Sequence, residues 1–314
     1  MLERPSYQGL FVGLINLDLI YLVKHLPQAN QKVVASDYAV AAGGPATNAA
    51  VTFSQLGNQG AVLGVLGAHP IRHLVLEDLQ TQGVRIADLN PSHSEPPPTS
   101  SILVTESTGD RAVVSLNAVK LQAAPEQIPP NILPGIDVVL IDGHQMAVGC
   151  AIARQAKAQG IPVVVDGGSW KPGFETVLHQ ADYVICSANF RPPTDAATPD
   201  TIAYLRELGV PHIAITHGAD PIEFVSEGIS GRIPVAQITP VDTLGAGDIF
   251  HGSFCHYVLQ SGFRDALAQA AKMATFACQF FGTRSWISRD GWGDGEDGGD
   301  GEDGGDGGDG GIED

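Results

Sequence analysis

Apolar residues gather in six short, nearly continuous runs that recur along the chain and are separated by segments of helical length. Runs of this kind are typical of parallel strands that are covered on both faces. The pattern predicts strands at 9–15, 61–67, 136–142, 161–166, 181–186 and 211–216. It predicts helices at 45–56, 70–82, 146–158, 199–208, 248–260 and 263–281. The alternation indicates an α/β fold with a parallel sheet between two layers of helices.

Two further segments lack this alternation and look like antiparallel strand pairs with one polar side. They are 32–42 and 99–118, and the second contains a turn signal at "STGD" (107–110). Together with residues 17–24 they predict a small β-sheet that covers one edge of the main sheet as a lid. Because exposed strand edges favour pairing with another chain, a homodimer through the lid is among our expectations.

Negative charge is concentrated at the end of the chain. The 35 acidic residues include 11 in the Gly-rich segment 290–314, which leaves 24 acidic against 17 basic residues in 1–289. A segment with so few apolar side chains cannot offset its ordering entropy, so we predict a disordered acidic tail after a domain that spans 1–289. A nucleic-acid-binding face needs clustered Lys and Arg, which the domain lacks.

The apolar start of the chain and its cysteines bear on location. Asn16 and Asp18 interrupt the first apolar stretch, so it is read as a strand and not as a signal peptide or membrane span. The four cysteines have no metal-ligand spacing and are predicted to be buried thiols in a reducing compartment. We therefore expect a cytoplasmic protein without a membrane or nucleic-acid partner. The cysteines are Cys150, Cys186, Cys255 and Cys278.

The stretch "VDTLGAGDIFHG" (241–252) places a glycine turn before a predicted helix. Successive N–H groups of Gly245, Ala246 and Gly247, with the positive end of the helix, are suited to an anion such as a phosphoryl group. Asp248 beside this anion hole is a candidate general base for an attacking hydroxyl. The helix end should favour its ionised form and make it a weak base. The alternative is that Asp248 only caps the helix.

A second glycine turn and a strand carry candidate substrate ligands. Gly43 and Gly44 let the backbone approach a ligand, and Asn48 lies one turn into the following helix. Asn16 and Asp18 share one face of a strand, because side chains alternate with a period of two. Such polar groups among buried-strand residues are suited to hold a polyhydroxylated substrate. His251 and His256 are interpreted as packing or surface residues.

These segments, in this order over about residues 8–285, resemble the PfkB, or ribokinase-like, carbohydrate kinase family. "AGGPATNAAVTFSQLG" (42–57) is similar to its first signature and "VDTLGAGDIFHGSF" (241–254) to its second. Within the family the spacing is most similar to ketohexokinase. The resemblance implies a doubly wound α/β/α sandwich with a β-sheet lid, and ATP-dependent phosphorylation of a sugar hydroxyl with Mg²⁺.

The resemblance also implies roles for individual residues. Asp248 would be the base, the 245–247 backbone the anion hole, and Asp18, Gly44 and Asn48 the sugar ligands, with Arg111 reaching phosphate or sugar from the lid. Thr216 and Gly218 match the nucleotide loop, although Pro221 replaces its second glycine. Asp242 and Thr243 match the segment that supports a monovalent cation such as K⁺. Asn189 matches an N-x-x-E motif linked to Mg²⁺, but Pro192 replaces its Glu.

The sequence therefore indicates a sugar kinase that acts on a small ketose or ribose-like carbohydrate. Two alternatives remain open. A nucleoside kinase shares both signatures, and Pro192 and Pro221 also fit a relative that binds sugar or nucleotide with weak or no catalysis.

Overall fold

Thirteen strands and seven helices make up the part of the chain that the structure, a computed structural model, describes: residues 6–116, 121–193 and 200–289. The strands are β1 (Gln8–Val12), β2 (Asn16–Val23), β3 (Asp37–Gly43), β4 (Gln59–Gly64), β5 (Arg85–Asp88), β6 (Thr99–Thr105), β7 (Arg111–Ser115), β8 (Val138–Ile141), β9 (Val163–Gly167), β10 (Tyr183–Ser187), β11 (His212–His217), β12 (Asp220–Ser226) and β13 (Ile229–Ile233). The helices are α1 (Pro45–Gln55), α2 (Arg72–Thr81), α3 (Met146–Ala158), α4 (Phe174–Leu178), α5 (Thr201–Glu207), α6 (Ala246–Tyr257) and α7 (Phe263–Ala277). The predicted tail 290–314 and the last predicted lid residues, 117 and 118, lie outside the described residues.

The main sheet has nine strands in the order β13-β12-β11-β10-β9-β8-β1-β4-β5. Its strands are parallel from β11 to β5, as predicted, and β12 and β13 add an antiparallel hairpin that the sequence pattern did not reveal. Alternate strand residues enter two cores. Phe11 packs with α1, α2, α6 and α7, whereas Leu10 and Val12 pack with α3, α4 and α5. The α/β/α sandwich is therefore confirmed.

The lid is a separate four-stranded sheet with the order β3-β2-β6-β7. The predicted β6–β7 hairpin is confirmed, but β2 pairs parallel to β6 and antiparallel to β3. The prediction of an antiparallel pair within 32–42 was wrong, because 32–36 are not in a strand and only β3 forms there. The strand register places polar side chains of β2 and β6 on the inner face of the lid, the face whose Ile20 and Ile102 pack against Leu244 and Phe281 outside the lid.

The strand predicted at 9–15 is interrupted, and this break joins the two sheets. The chain leaves the main sheet after Val12 and enters the lid at Asn16. At the break, a side chain on Gly13 would place its Cβ 2.0 Å from Oδ1 of Asp142, and Asp142 Oδ2 accepts the Leu14 N–H at 2.9 Å. The buried carboxylate therefore turns the chain from one sheet into the other.

No helix in the described segments combines the length and the apolar character that crossing a bilayer would require.

Candidate active site

The predicted anion hole lies at the start of α6. Gly245 is the N-cap residue in the left-handed conformation (φ 73°), and Ala246 and Gly247 begin the helix. Asp248 follows in the first turn and makes no capping hydrogen bond, so the interpretation of this residue as only a cap was wrong. Its Oδ2 instead accepts a hydrogen bond from Asn48 Nδ2 at 2.8 Å. The two glycine turns, 200 residues apart in sequence, thus meet at one carboxylate.

Asp248 is a stronger base than its position at a helix end suggested. Burial, followed by the charges of Asp166 and Asp18, raises its pKa from 3.8 to about 7 against the lowering effects of Asn48 and His251. Desolvation and like charges both disfavour a carboxylate anion. They outweigh the helix end here, so the expectation of a weak, ionised base was wrong. A group with a pKa of about 7 is well matched to proton transfer at neutral pH.

Asn16 and Asp18 lie together on the inner face of the lid, as predicted. Asn16 Nδ2 donates to Asp18 Oδ1 at 2.6 Å and to Ser100 Oγ at 3.0 Å. Gly43 pairs with Asn16 across the strands, and a Cβ there would lie 2.0 Å from Asp18 Oδ2. Burial raises the pKa of Asp18, although its hydrogen bonds and the nearby Arg284 oppose this. Gly44 caps α1 and brings Asn48 to the same side of the sheet.

The contacts of Arg284 with Asn48 and its surroundings were not predicted, because Arg284 is far from them in the sequence. Arg284, seven residues after α7, donates from Nη1 to Asn48 Oδ1 at 2.9 Å. Its Nη2 donates to the Ala42 carbonyl at 2.7 Å and forms an ion pair with Asp78 Oδ2 at 3.1 Å. A single arginine in the segment after α7 carries no local signal for such contacts.

Asp142 at the end of β8 is also a residue that the sequence pattern did not single out. Its buried oxygens accept the backbone N–H groups of Leu14, Ala46 and His144, with N···O distances of 2.9, 3.1 and 2.8 Å. Burial acts to raise its pKa, but the charge of His144 and these donors outweigh that effect and lower the pKa to about 2. A carboxylate so fully bonded holds the strand break and the start of α1 in place.

Asp166 on β9 is buried beside the base. Its Oδ2 lies 3.6 Å from His251 Nδ1, and the same His251 nitrogen is 2.7 Å from the Gly247 carbonyl, to which it donates. Among the described residues no side-chain or backbone group donates a closer hydrogen bond to Asp166. Burial raises the pKa of Asp166. His251 is 5% exposed, so its interpretation as a packing residue holds, with a link between Asp166 and α6 in addition.

A cavity of about 230 Å³ lies beside the anion hole. Its walls come from the β11–β12 turn, the segment 235–243, the start of α6 and one side of α7, and they are mostly apolar. Thr216 and Gly218, both predicted at the nucleotide, are in its wall together with Gly247 and His251. The cavity therefore continues directly from the anion hole. Asn189 is exposed just after β10 and is not among the residues that line it.

The predicted cation segment lies between the lid and α6. Asp242 is buried and accepts the N–H groups of Leu244 and Gly282 at 2.8 and 2.9 Å, and burial raises its pKa. Thr243 Oγ1 accepts a hydrogen bond from Arg111 Nη1 at 2.8 Å, so the lid arginine reaches this segment. Within the described ranges no group of three or more His, Cys, Asp and Glu side chains has the arrangement of a metal site.

Comparison with known proteins agrees with this geometry. Residues 9–289 match the family described as pfkB family carbohydrate kinase. A ribokinase of Bacillus subtilis (strain 168) is 24% identical over 252 residues, which are 77% of this chain and 83% of the relative. An ATP-dependent ribose-1-phosphate kinase of Halopiger xanaduensis is 27% identical over 256 residues, covering 81% of this chain and 85% of the relative.

A solved structure shares the fold. Arabidopsis thaliana ribokinase complexed with ribose and ATP has a TM-score of 0.69 and 22% sequence identity, covering 91% of this chain and 100% of that one. Ribokinases thus stand among the relatives, and the similarity in spacing to ketohexokinase is the minor part of the resemblance. Because the family match runs from β1 to the segment after α7 and includes both glycine turns, the lid and Asp248, this chain belongs to the pfkB family of carbohydrate kinases, phosphotransferases that act on a sugar hydroxyl.

Proposed function

We propose that this kinase transfers the γ-phosphoryl group of ATP to a hydroxyl of a ribose-like sugar held under the lid, with Asp248 as the general base. The observation that carries the proposal is the position of Asp248: in the first turn of α6, hydrogen-bonded to Asn48 and next to the backbone of Gly245, Ala246 and Gly247. The names of the relatives, which act on ribose and related sugars, support the substrate class.

The sugar is held by polar groups that the lid and α1 supply. Asn16 and Asp18 present donors and acceptors from the inner lid face, and Gly43 leaves room beside them. Asn48 approaches from α1 and also contacts Asp248, so a hydroxyl that is bound to Asn48 lies near the base. Arg111 reaches over the site from the lid as far as Thr243, where it is available to phosphate oxygens.

The proton step follows from the pKa of the base. With a pKa of about 7, a large fraction of Asp248 is ionised at neutral pH and accepts the proton of the attacking hydroxyl. The hydroxyl oxygen forms a bond to the γ-phosphorus as the bond to the leaving ADP oxygen breaks. The N–H groups at 245–247 stabilise the charge on the transferring phosphoryl group.

The apolar cavity beside the anion hole is suited to the nucleotide base. A flat aromatic ring gains from burial between apolar walls, whereas the phosphates would extend towards Gly247. Thr216 and Gly218 lie in this wall, and Pro221 in β12 is not among the residues that line the cavity, so the second glycine of the motif is not needed to open it.

Two cations fit residues that the chain provides. Asp166 is a buried carboxylate without a close hydrogen-bond donor among the described residues, and it would hold Mg²⁺ in place of the Glu missing at Pro192. Magnesium supplies charge neutralisation of the ATP phosphates. Asp242 would hold K⁺, and the buried Thr283 Oγ1, which lacks a partner among the described residues, lies directly after Gly282, which Asp242 binds.

The outer face of the lid supports a homodimer. Tyr38 and Val40 on β3 and Val114 on β7 are 69%, 41% and 76% exposed and share this face with Leu19 and Tyr21 of β2. Pairing with a second copy would bury them.

The four cysteines form no disulfide, which is consistent with the cytoplasmic location that we propose.

A substrate panel combined with one variant tests the proposal. ADP release is measured with ribose, deoxyribose, fructose and adenosine, and we expect ribose-like sugars to give the highest kcat/KM. Asp248→Asn should lower kcat by about 10²- to 10⁴-fold while sugar still binds. Asp265→Asn is the matched control, since Asp265 has the same position in the first turn of α7 and is exposed.

The other possible results of this experiment identify a different function or exclude Asp248 as the base. Preference for adenosine would establish a nucleoside kinase instead. Ligand-induced thermal stabilisation without ADP release from any substrate would establish a binding protein. Near-normal kcat in Asp248→Asn would remove Asp248 from the mechanism.

A further inference from the structure

Arg284 joins four parts of the molecule at the edge of the proposed sugar site. Its guanidinium donates to Asn48 Oδ1 on α1, to the Ala42 carbonyl on β3 and to Asp78 Oδ2 on α2, with N···O distances of 2.9, 2.7 and 3.1 Å. The side chain is 16% exposed and its partner Asp78 is 15% exposed. The planar fork of an arginine reaches these acceptors from two separate nitrogens, whereas a lysine offers a single nitrogen.

The hydrogen bond from Arg284 determines which way the amide of Asn48 faces. An asparagine amide has one carbonyl oxygen that accepts and one NH₂ group that donates. Because Arg284 occupies the oxygen, the NH₂ group faces Asp248, to which it donates at 2.8 Å. A reversed amide would present its oxygen to the carboxylate of Asp248, which an ionised base would repel.

The contacts with Ala42 and Asp78 connect the lid to the same amide. Asp78 Oδ2 accepts the Ala42 N–H at 2.9 Å, while Arg284 donates to the Ala42 carbonyl. The ion pair therefore holds both polar groups of the residue that precedes the Gly43-Gly44 turn. This turn is where β3 of the lid leads into α1, so the same guanidinium fixes the lid strand and the helix residue that contacts the base.

We propose that Arg284 is a positioning residue that orients the Asn48 amide towards Asp248 and ties the lid strand β3 to the catalytic base. This proposal rests on the proposed role of Asp248 as the base. Arg284 need not contact sugar or phosphate in this role.

The environment of Asp248 makes the proposal measurable by pH dependence. The charged groups that act on it are Asp166 on β9 and Asp18 on β2, which raise its pKa, and His251 on α6, which lowers it. The hydrogen bond from Asn48 also lowers its pKa. Loss of Asn48 orientation should therefore move the acid limb of kcat/KM to higher pH, an effect that a general loss of packing does not produce.

The experiment compares Arg284→Gln with Arg289→Gln. Arg289 lies five residues later, is exposed and stacks on Phe280, so it is the matched control. We expect Arg284→Gln to lower kcat/KM by about ten- to a hundredfold, as misplacement of a reacting group does, with the acid limb moved to higher pH. Arg289→Gln should match the unchanged protein in both. An unmoved acid limb in Arg284→Gln would overturn the proposal.

A double-mutant cycle keeps the test decisive. If Arg284 acts through Asn48, Arg284→Gln should add no further shift of the acid limb to that of Asn48→Ala, and an additive shift would overturn the proposal.

Arg284→Lys replaces the Gln variant if that variant does not fold, since it retains the charge beside Asp78 and should show a smaller shift of the same sign. Asp248→Asn, measured in parallel, separates the two claims: an active Asp248→Asn contradicts the base, whereas an inactive one with normal Arg284→Gln contradicts only the role of Arg284.

Discussion

Two carboxylates near the carboxyl ends of the central strands have opposite surroundings. Asp142, at the strand junction (Gly13–Ile15 with Asp142), accepts three backbone N–H groups and its pKa is lowered to about 2. Asp248, in the base pocket (Asp248 with Asn48, Asp166 and His251), accepts one side-chain hydrogen bond and its pKa is raised to about 7. Both are removed from bulk water to a large extent, so the neighbouring charges, His144 at one and Asp166 at the other, together with the number of donors decide which of them stays ionised.

The difference separates a structural carboxylate from a reactive one. Each donor to Asp142 stabilises its anion and fixes a piece of backbone. Asp142 therefore stays ionised at neutral pH. Asp248 has neighbours of like charge and few donors, and is therefore ready to take a proton. Removal of the carboxylate should therefore affect mainly stability at Asp142 and mainly catalysis at Asp248.

The largest effect is expected when the strand junction loses its acceptor. Asp142→Ala would leave the buried N–H groups of Leu14, Ala46 and His144 without the oxygens that bind them. A buried donor without a partner costs about 1–3 kcal/mol, so the free energy of unfolding should fall by about 3–5 kcal/mol. Urea unfolding at pH 7, monitored by circular dichroism, measures the loss.

A carboxylate at the other end of β8 provides the control. Asp137 is exposed and accepts one backbone N–H, that of Gln8, at 2.7 Å. Asp137→Ala should cost about 1 kcal/mol or less. Equal losses in the two variants would show that burial and number of donors do not distinguish these carboxylates.

Because the pKa of Asp142 is lowered, its contribution to the free energy of unfolding is complete above about pH 4 and is lost as the pH falls through about 2.

The base pocket was more accessible from sequence than the strand junction. Asp248, its glycines and Asn48 stand in two long local patterns, and the inner-face pair Asn16 and Asp18 follows from strand periodicity. The parallel strands were visible because burial on both faces requires continuous apolar runs. Local patterns therefore predicted the main sheet and the residues on either side of the proposed reaction.

Contacts between distant segments could not be predicted in this way. Asp142 follows an apolar run like any polar residue at a strand end, and only the folded chain brings Leu14, 128 residues away, to it. Arg284 and Asp78 are 206 residues apart and no pattern links them. The raised pKa of Asp248 depends on Asp166 and Asp18 from two other strands. The position of Asp248 at the start of α6 indicated a lowered pKa, which is the wrong direction.

A smaller effect, of opposite sign, is expected for stability at the base pocket. The raised pKa means that the folded protein holds a proton on Asp248 more tightly than the unfolded chain does. Stability is therefore lost as the pH rises from about 4 to about 7. Asp248→Asn removes this cost and should raise the free energy of unfolding at pH 8 by about 1–2 kcal/mol, allowing for solvent at a partly buried group.

The gain should shrink as the pH is lowered towards 4, where Asp248 is protonated in both states. Urea unfolding of both proteins at pH 5, 6.5 and 8 measures this trend, with Asp265→Asn as the exposed control in the first turn of α7. A variant that is less stable than the unchanged protein at pH 8 would contradict the comparison, because Asp248 would then behave like Asp142.

The smallest effect concerns the charge that Asp166 places beside the base. After burial, the charge of Asp166 is the main cause of the raised pKa of Asp248. The acid limb of kcat/KM for sugar, at saturating MgATP, should lie near pH 7, with the rate falling as Asp248 is protonated. In the protein without metal or nucleotide, Asp166→Asn removes one like charge and should lower the pKa of Asp248 by about half a unit, which NMR titration of the Asp248 side-chain carboxyl carbon measures. Since Arg284→Gln is expected to raise the same pKa, opposite shifts in the two variants would show that the group titrating near pH 7 is Asp248, and a titration that neither variant moves would assign it to another group.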